Sequence, residues 1–221
     1  NADFISGDTI LNIQDMHKGN LELAKTGSVA INKCLDGACS ITTNSGSITI
    51  NSAESNVIAI SSTGNILVDN ANGVVSTNTN GSTTVNFKEN ATGARHLIAS
   101  TTTGSIYATG VDLIEANATG GNGSIKVVMN DVKNGSTIRT GQGSINVVFA
   151  DGDQFTITSN PTVHFTSGLF FLNYLNIDAK ITDVSKIGDG KINADATNTL
   201  FTIESKFGGS IRITDKSMEN T

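Results

Sequence analysis

The chain has 221 residues, of which 37% are hydrophobic and 15% are charged, and its formal net charge is −6. Low charge together with ample Val and Ile excludes an intrinsically disordered chain, and the acidic balance argues against nucleic acid as the main partner. No apolar run approaches the length of a membrane span. Strong helix formers are scarce and β formers abound, so the composition predicts an all-β protein of the kind found outside cells.

A short motif recurs along the chain. It opens with Gly, continues with Ser or Asn, and then alternates apolar and variable residues, as in Gly46-Ser47-Ile48-Thr49-Ile50. From Gly27 to Gly143 the opening glycines follow one another at steps of 19, 18, 17, 23, 19 and 20 residues. Copies are predicted to open at Gly27, Gly46, Gly64, Gly81, Gly104, Gly123, Gly143, Gly190 and Gly209, with a looser copy at Gly7 and a blurred one around Gly168.

Each position of the motif predicts a structural role. The alternation after Gly predicts a strand with one buried face. The Gly precedes the strand, where a left-handed conformation with positive φ is expected. The following Ser is expected to bond turn backbone, and a later column of Asn32, Asn51, Asp69 and Asn86 is expected to form a ladder of side-chain hydrogen bonds.

Each interval also holds a second, less regular apolar stretch, such as Ile58 and Ile60. Two short strands and two turns for about every 20 residues describe one coil of a β-solenoid. A β-sandwich is the alternative, but it gives no reason for one identical turn at every repeat. We therefore expect a single-domain, all-β solenoid, or β-helix, of about ten coils with parallel strands.

The last third of the sequence departs from the repeat. Residues 1–150 are predicted to form regular coils, and residues 151–221 to form irregular, aromatic-rich coils and a cap within the same domain. The aromatic residues there are expected either to fill a bulkier core or to cover the exposed strand edges at the end of the solenoid. The residues proposed for such an association surface are Phe165, Phe170, Phe171 and Tyr174.

The motif, with Thr or Ser before the Gly as in Thr26-Gly27 and Ser45-Gly46, resembles the adhesin-repeat family of β-solenoid domains. The resemblance covers about residues 5–150 well and residues 185–215 more weakly. It implies a domain of a secreted or surface protein, and the family carries no catalytic motif to transfer.

Cys34 and Cys39 are separated by four residues that include Gly37, which permits a tight bend. A local disulfide is the favoured interpretation, ahead of two free buried thiols and of half a metal site. A disulfide would place the protein in an oxidising, extracellular compartment.

Other motifs with chemical potential are weak. N-glycosylation sequons begin at Asn80, Asn90, Asn117, Asn122 and Asn134, a number that chance explains in a chain so rich in Asn, Ser and Thr. Asp151, Asp153 and Asp189 lie in segments that resemble calcium loops, but the nine-residue calcium repeat is absent and these are expected to be turns. The three His residues have neither ligand spacing nor a catalytic arrangement, so no enzyme, no metal and no cofactor are predicted.

Three classes of function remain. The first is a non-enzymatic adhesin-like structural rod, extracellular or on a cell surface, whose partners are surface glycans or proteins. The second is a subunit that assembles end to end with itself into an extracellular filament or matrix. The third is a carbohydrate- or ice-binding solenoid, although the outward column of the repeat mixes residue types and lacks a regular Thr array.

Overall fold

A computed structural model describes residues 2–4, 10–23, 27–120, 122–131, 133 and 135–149, together with six strands between residues 161 and 215. The described residues contain strands and turns and no helix. The strands lie in two sheets that together form a β-solenoid, which confirms the predicted all-β solenoid with parallel strands. None of the described residues forms a helix that is long and apolar enough to cross a membrane.

The strands are numbered in chain order. They are β1 (Ala2–Phe4), β2 (Ile10–Met16), β3 (Gly19–Leu23), β4 (Ser28–Cys34), β5 (Cys39–Thr43), β6 (Ile48–Ile50), β7 (Val57–Ser61), β8 (Ile66–Ala71), β9 (Val74–Thr79), β10 (Thr83–Phe87), β11 (His96–Thr101), β12 (Ile106–Val111), β13 (Leu113–Ala118), β14 (Ile125–Met129), β15 (Thr137–Thr140), β16 (Ile145–Phe149), β17 (Pro161–Ser167), β18 (Leu175–Asp178), β19 (Val184–Ile187), β20 (Lys191–Ala194), β21 (Thr199–Ser205) and β22 (Ile211–Asp215).

From β2 to β15 the chain alternates between the two sheets, so that each even-numbered strand and the odd-numbered strand after it form one coil. These are about seven turns, fewer than the ten that the sequence predicts. The ten-stranded sheet holds the strands that follow the motif glycines, and the twelve-stranded sheet holds the less regular strands. From β2 to β15 each strand pairs in parallel with the strand one coil away. The register is kept except at two local shifts, between Val85 and Phe87 and between Thr109 and Val111, because a slip along a whole strand would turn its buried face outward.

Similar apolar residues stack on one another in the core. In the ten-stranded sheet Ile48 pairs with Ile66 and Ile50 with Val68, and all four side chains are buried. Burying one such side chain contributes about 1.5–3 kcal/mol relative to leaving it exposed. Since a single coil has nothing to cover its apolar face, this contribution arises only when coils stack.

The C-terminal strands explain why fewer regular coils are found. β21 pairs with β15, and β22 pairs with β16. Because some fifty residues separate β16 from β21 in the chain, the solenoid continues only after this segment. Ile211 pairs with Ile145, as expected for the copy at Gly209. The copy at Gly190 was wrongly predicted as a coil, because β20 lies in the twelve-stranded sheet and runs antiparallel to β17.

The motif glycines are needed for a reason other than the one predicted. Positive φ is found at Gly37, Gly110 and Gly135, and none of the motif glycines that the structure describes has it. Instead, successive glycines stack so closely that a Cβ on Gly64 would lie 2.6 Å from the backbone nitrogen of Ser47 and closer still to the carbonyl of Gly46. The predicted left-handed conformation was therefore wrong, and close approach between coils excludes any side chain.

We predict that replacing Gly64 with Ala destabilises the protein by about 1–3 kcal/mol, because the added methyl group forces two coils apart. Chemical denaturation measures the change. Gly64→Asn should cost at least as much, whereas Asn would be tolerated if a left-handed conformation were the requirement. Gly19→Ala is the matched control, since a Cβ at Gly19 would lie 3.8 Å from its nearest neighbour, the carbonyl oxygen of His17. Equal stability of Gly64→Ala and Gly19→Ala would contradict this explanation.

Candidate functional site

A column of four buried hydroxyl groups joins successive coils beside the motif glycines. Thr101 Oγ1 accepts a hydrogen bond from the backbone N–H of Gly104, which opens the next coil, at 3.0 Å, and donates one to the carbonyl of Gly81, which opens its own coil, at 2.8 Å. Ser61 does the same between Gly64 and Gly46. We call this column the hydroxyl spine; it consists of Thr43, Ser61, Thr79 and Thr101.

The Ser column predicted to bond turn backbone does so, and always across coils. Ser28 Oγ accepts from the backbone N–H of Ser47, and Ser82 Oγ accepts from that of Ser105, each at 3.1 Å. Asn65 takes the place of Ser in one coil, and its Oδ1 accepts from the N–H of Ser82 at 2.8 Å. These side chains are engaged in holding the coils together, so they are poorly suited to contact a ligand.

The predicted side-chain ladder is present in two stretches. Asn51 Nδ2 donates to Asn32 Oδ1 at 3.4 Å. Asn86 Nδ2 donates to Asp69 Oδ1 at 2.6 Å, and Asn86 Oδ1 accepts from Thr109 Oγ1 at 2.8 Å. Between the two stretches the ladder is interrupted, and Asn70 Nδ2 donates to the backbone carbonyl of Asn51.

On the outer face of the ten-stranded sheet, one column of the described side chains has no repeating chemistry. This middle column lies between the Ser column and the amide ladder and is half-buried or exposed, with Tyr107 37% exposed. Residue type changes from coil to coil along this column, which consists of Ala30, Thr49, Leu67, Thr84, Tyr107, Lys126 and Asn146. The column therefore presents no array of one functional group.

The outer face of the twelve-stranded sheet carries exposed aliphatic side chains. Ile58 and Ile60 of β7 are 41% and 39% exposed, and Ile98 of β11 is 37% exposed. The sequence grouped Ile58 and Ile60 with the core, but Val57 and Ala59 are the residues of β7 that point inward. The unbroken apolar run from Val57 to Ile60 conceals the alternation by which a strand separates its two faces.

One partly buried cluster of charges lies where the ten-stranded sheet turns into the twelve-stranded sheet. The side chain of Asp112 is 11% exposed, and its Oδ2 accepts from Arg95 Nε at 3.1 Å and lies 3.9 Å from Lys133 Nζ. Arg95 also donates to the backbone carbonyl of Glu89. The arrangement ties three turns together and compensates the charge of Asp112, which is a structural role.

Other ionic contacts pair residues of neighbouring coils near the surface. His96 Nε2 lies 3.2 Å from Glu115 Oε1, and His17 Nδ1 lies 3.1 Å from Asp36 Oδ2. The hydrogen bond from Lys88 lowers the pKa of the Glu54 carboxyl. The described residues include no group of three or more His, Cys, Asp or Glu side chains arranged to hold a metal ion.

Cys34 and Cys39 lie together in the core, but the predicted disulfide is not formed in the structure, where both are free and buried. Asp36 and Gly37 provide the tight bend between them, with φ of 52° and 122°. The Cys39 thiol donates to the carbonyl of Met16 at 3.6 Å. Its hydrogen bond with Cys34, together with burial, raises the pKa of the Cys34 thiol, which keeps that group protonated and unreactive.

Several predicted sites lie partly outside the described residues. Asn80, Asn90 and Asn122 are exposed in turns, and Asn117 is half-buried on β13. Asn134 lies outside the described residues, as do Asp151, Asp153, Asp189, Phe170, Phe171 and Tyr174. Phe165 is on β17, where only the backbone is described.

Comparison of the chain with protein-family models, with curated proteins and with solved structures found no match.

We predict that Thr101→Val destabilises the protein by about 1–3 kcal/mol, because Val keeps the shape but leaves the buried carbonyl of Gly81 and the N–H of Gly104 without this hydroxyl. Thr83→Val is the matched control: Thr83 is also fully buried, yet its hydroxyl has no hydrogen-bond partner. Removing that hydroxyl should stabilise the protein by up to about 1 kcal/mol. If chemical denaturation showed that both substitutions change the free energy of unfolding in the same direction, the role of the hydroxyl spine would be contradicted.

We also predict that both cysteines resist alkylation in the folded protein and that both react in the unfolded protein without reductant. Burial of the two thiols blocks the reagent in the first case, and the lack of a disulfide leaves them free in the second. Intact mass spectrometry counts the labels. An unfolded protein that takes up no label until a reductant is added would show that the two cysteines form a disulfide.

Proposed function

We propose that this protein is a non-enzymatic, adhesin-like structural rod that works outside the cell or on its surface. The observation that supports the proposal most strongly is the division between a repeating interior and a non-repeating exterior. Inside, the hydroxyl spine and the stacked Ile and Val residues connect successive coils. The Ser column adds cross-coil hydrogen bonds at the surface. Such connections make a stiff body, and stiffness with a polar, varied surface is what a spacer or adhesive domain requires.

The resemblance of the Gly-Ser-Ile motif to the adhesin-repeat family supports the same role. The ion pairs support it as well, since each joins residues of different coils or turns and acts as a contact that holds the solenoid together. A polysaccharide-cleaving solenoid would instead require several titratable groups directed at one point of the outer face. We propose surface glycans or proteins as partners.

Two measurements test this proposal. Antibodies against the purified protein should label intact source cells or their secreted matrix, and the purified protein should leave polysaccharides unchanged in an assay for new reducing ends and unsaturated products. Labelling only after cells are opened would contradict the surface location. Release of either kind of product, lost on heat denaturation of the protein, would contradict a non-enzymatic role.

End-to-end assembly is a second candidate function, and one observation favours it. Among the described strands none pairs with the outer edge of β2, and Ile10 at its start is 64% exposed. Leu11, Ile13 and Met16 are only partly buried against the core. An unpaired edge with an uncovered apolar layer favours the addition of another strand. Electron microscopy of the purified protein distinguishes single short rods from long filaments.

A further inference from the structure

We propose that the outer face of the twelve-stranded sheet binds a second copy of this chain, side by side, around a two-fold axis that runs along β9. This pairing is distinct from end-to-end assembly and does not depend on the proposed function. Its basis is the position of the exposed aliphatic and charged side chains on this face.

The aliphatic side chains form one patch across neighbouring strands. Ile58 and Ile60 on β7 and Ile98 on β11 are each more than a third exposed, and Val74 on β9 and Leu113 on β13 are half-buried beside them. Grouped aliphatic side chains at the surface of a soluble protein commonly mark a site of association.

Two residues of the patch, Ile58 and Ile98, are arranged symmetrically about β9, the middle one of the seven strands from β3 to β15, whereas Ile60 lies opposite Ser100 in this arrangement. In the register Ile58 pairs with Ser76, and Ser76 pairs with Ile98. A rotation of 180° about an axis parallel to β9 reverses the order of the coils but keeps each residue's position along its strand. Ile58 therefore faces Ile98 of the second copy, and Ser76 faces its own equivalent. A two-fold interface of this kind is closed and self-complementary.

The charges on this face suit the same arrangement. Glu115 of β13 faces Ser40 of the second copy, because β13 and β5 are equally distant from β9. Glu22 of β3 and Arg139 of β15 occupy the same column at opposite ends of the face, so Glu22 faces Arg139 of the second copy. Arg139 also interacts within its own chain, and the new contact adds to that one.

The alternative two-fold axis is unfavourable. An axis parallel to the direction in which coils stack would place each strand over its own equivalent. Glu115, which lies in the central column with Ser76, would then face Glu115 of the second copy. Like charges directly opposite one another disfavour an interface, so the axis along β9 is the one that the surface specifies.

The size of the face predicts a weak dimer. Seven strands at about 4.8 Å, each about five residues long at about 3.3 Å per residue, cover roughly 550 Å². Two such faces bury about 1,100 Å², near the lower limit for specific interfaces, so we expect a dissociation constant on the order of 10–100 µM.

Sedimentation velocity between micromolar and millimolar concentrations tests for the dimer. The unaltered protein should change from monomer to dimer over this range. The double variant Ile58→Ser, Ile98→Ser should weaken dimerisation at least tenfold. Tyr107→Ser is the matched control, because it removes an equally exposed large side chain from the opposite sheet and should leave dimerisation unchanged. Thermal unfolding establishes that each variant is folded.

Cross-linking with a short bismaleimide tests the axis. Ser76→Cys should cross-link to itself, whereas Ser40→Cys alone should not. An equimolar mixture of Ser40→Cys and Glu115→Cys should give cross-linked heterodimers. The buried Cys34 and Cys39 give no product in the unaltered protein. Efficient cross-linking of Ser40→Cys to itself would overturn the axis along β9.

Three sedimentation results would overturn the dimer itself. They are a monomer at every concentration, long filaments in place of a dimer, and a dimer that the double variant leaves intact.

Discussion

The structure depends on how closely two coils approach at the motif glycine. Gly46 lies directly on Gly27, and Gly64 directly on Gly46, so no Cβ fits at Gly46 or at Gly64. Close approach of the two glycines brings the Gly46 carbonyl and the Gly64 N–H within reach of one hydroxyl, and Ser61 bonds to both and so joins the two coils. Because the glycine amide and carbonyl are buried there, the hydroxyl also supplies partners that water cannot.

This contact sets the register of the strand that follows each motif glycine. Once Gly64 is set on Gly46, Ile66 stacks on Ile48 and Asn65 bonds to Ser47. The outer columns carry no such constraint, since their side chains meet solvent. They can therefore vary from coil to coil without disturbing the core, and a surface patch such as Ile58 and Ile98 can be added to one sheet alone.

How far the sequence predicted this fold depends on whether a feature lies within one coil or between coils. Alternating residues such as Ile48 and Ile50 predicted strands and stacking correctly, because alternation is local. The reason for glycine was wrong, since crowding at Gly64 exists only once coils are stacked. The hydroxyl three residues before Gly, as in Ser61 and Thr101, was missed because the spacing is two residues at Thr79.

The spacing of the motif does not predict two other features of the structure. The return of the chain to β16 at β22 reorders strands that are distant in sequence, and repeat counting cannot detect such reordering. The exposed isoleucines were hidden for the opposite reason, because Val57 to Ile60 are all apolar and only the backbone direction separates inward from outward residues. Surface function therefore depends on side-chain direction, which the repeat alone does not give.

The central claim is that the buried hydroxyls hold the coils together at the glycines. Native-state hydrogen exchange, followed residue by residue with NMR, tests it most directly. If the hydroxyl spine carries this role, the amides of Gly46, Gly64 and Gly104 will be protected as strongly as those of core strand residues such as Ile66, although they lie in turns. Exchange of these three amides as rapid as that of exposed turn residues would contradict the account.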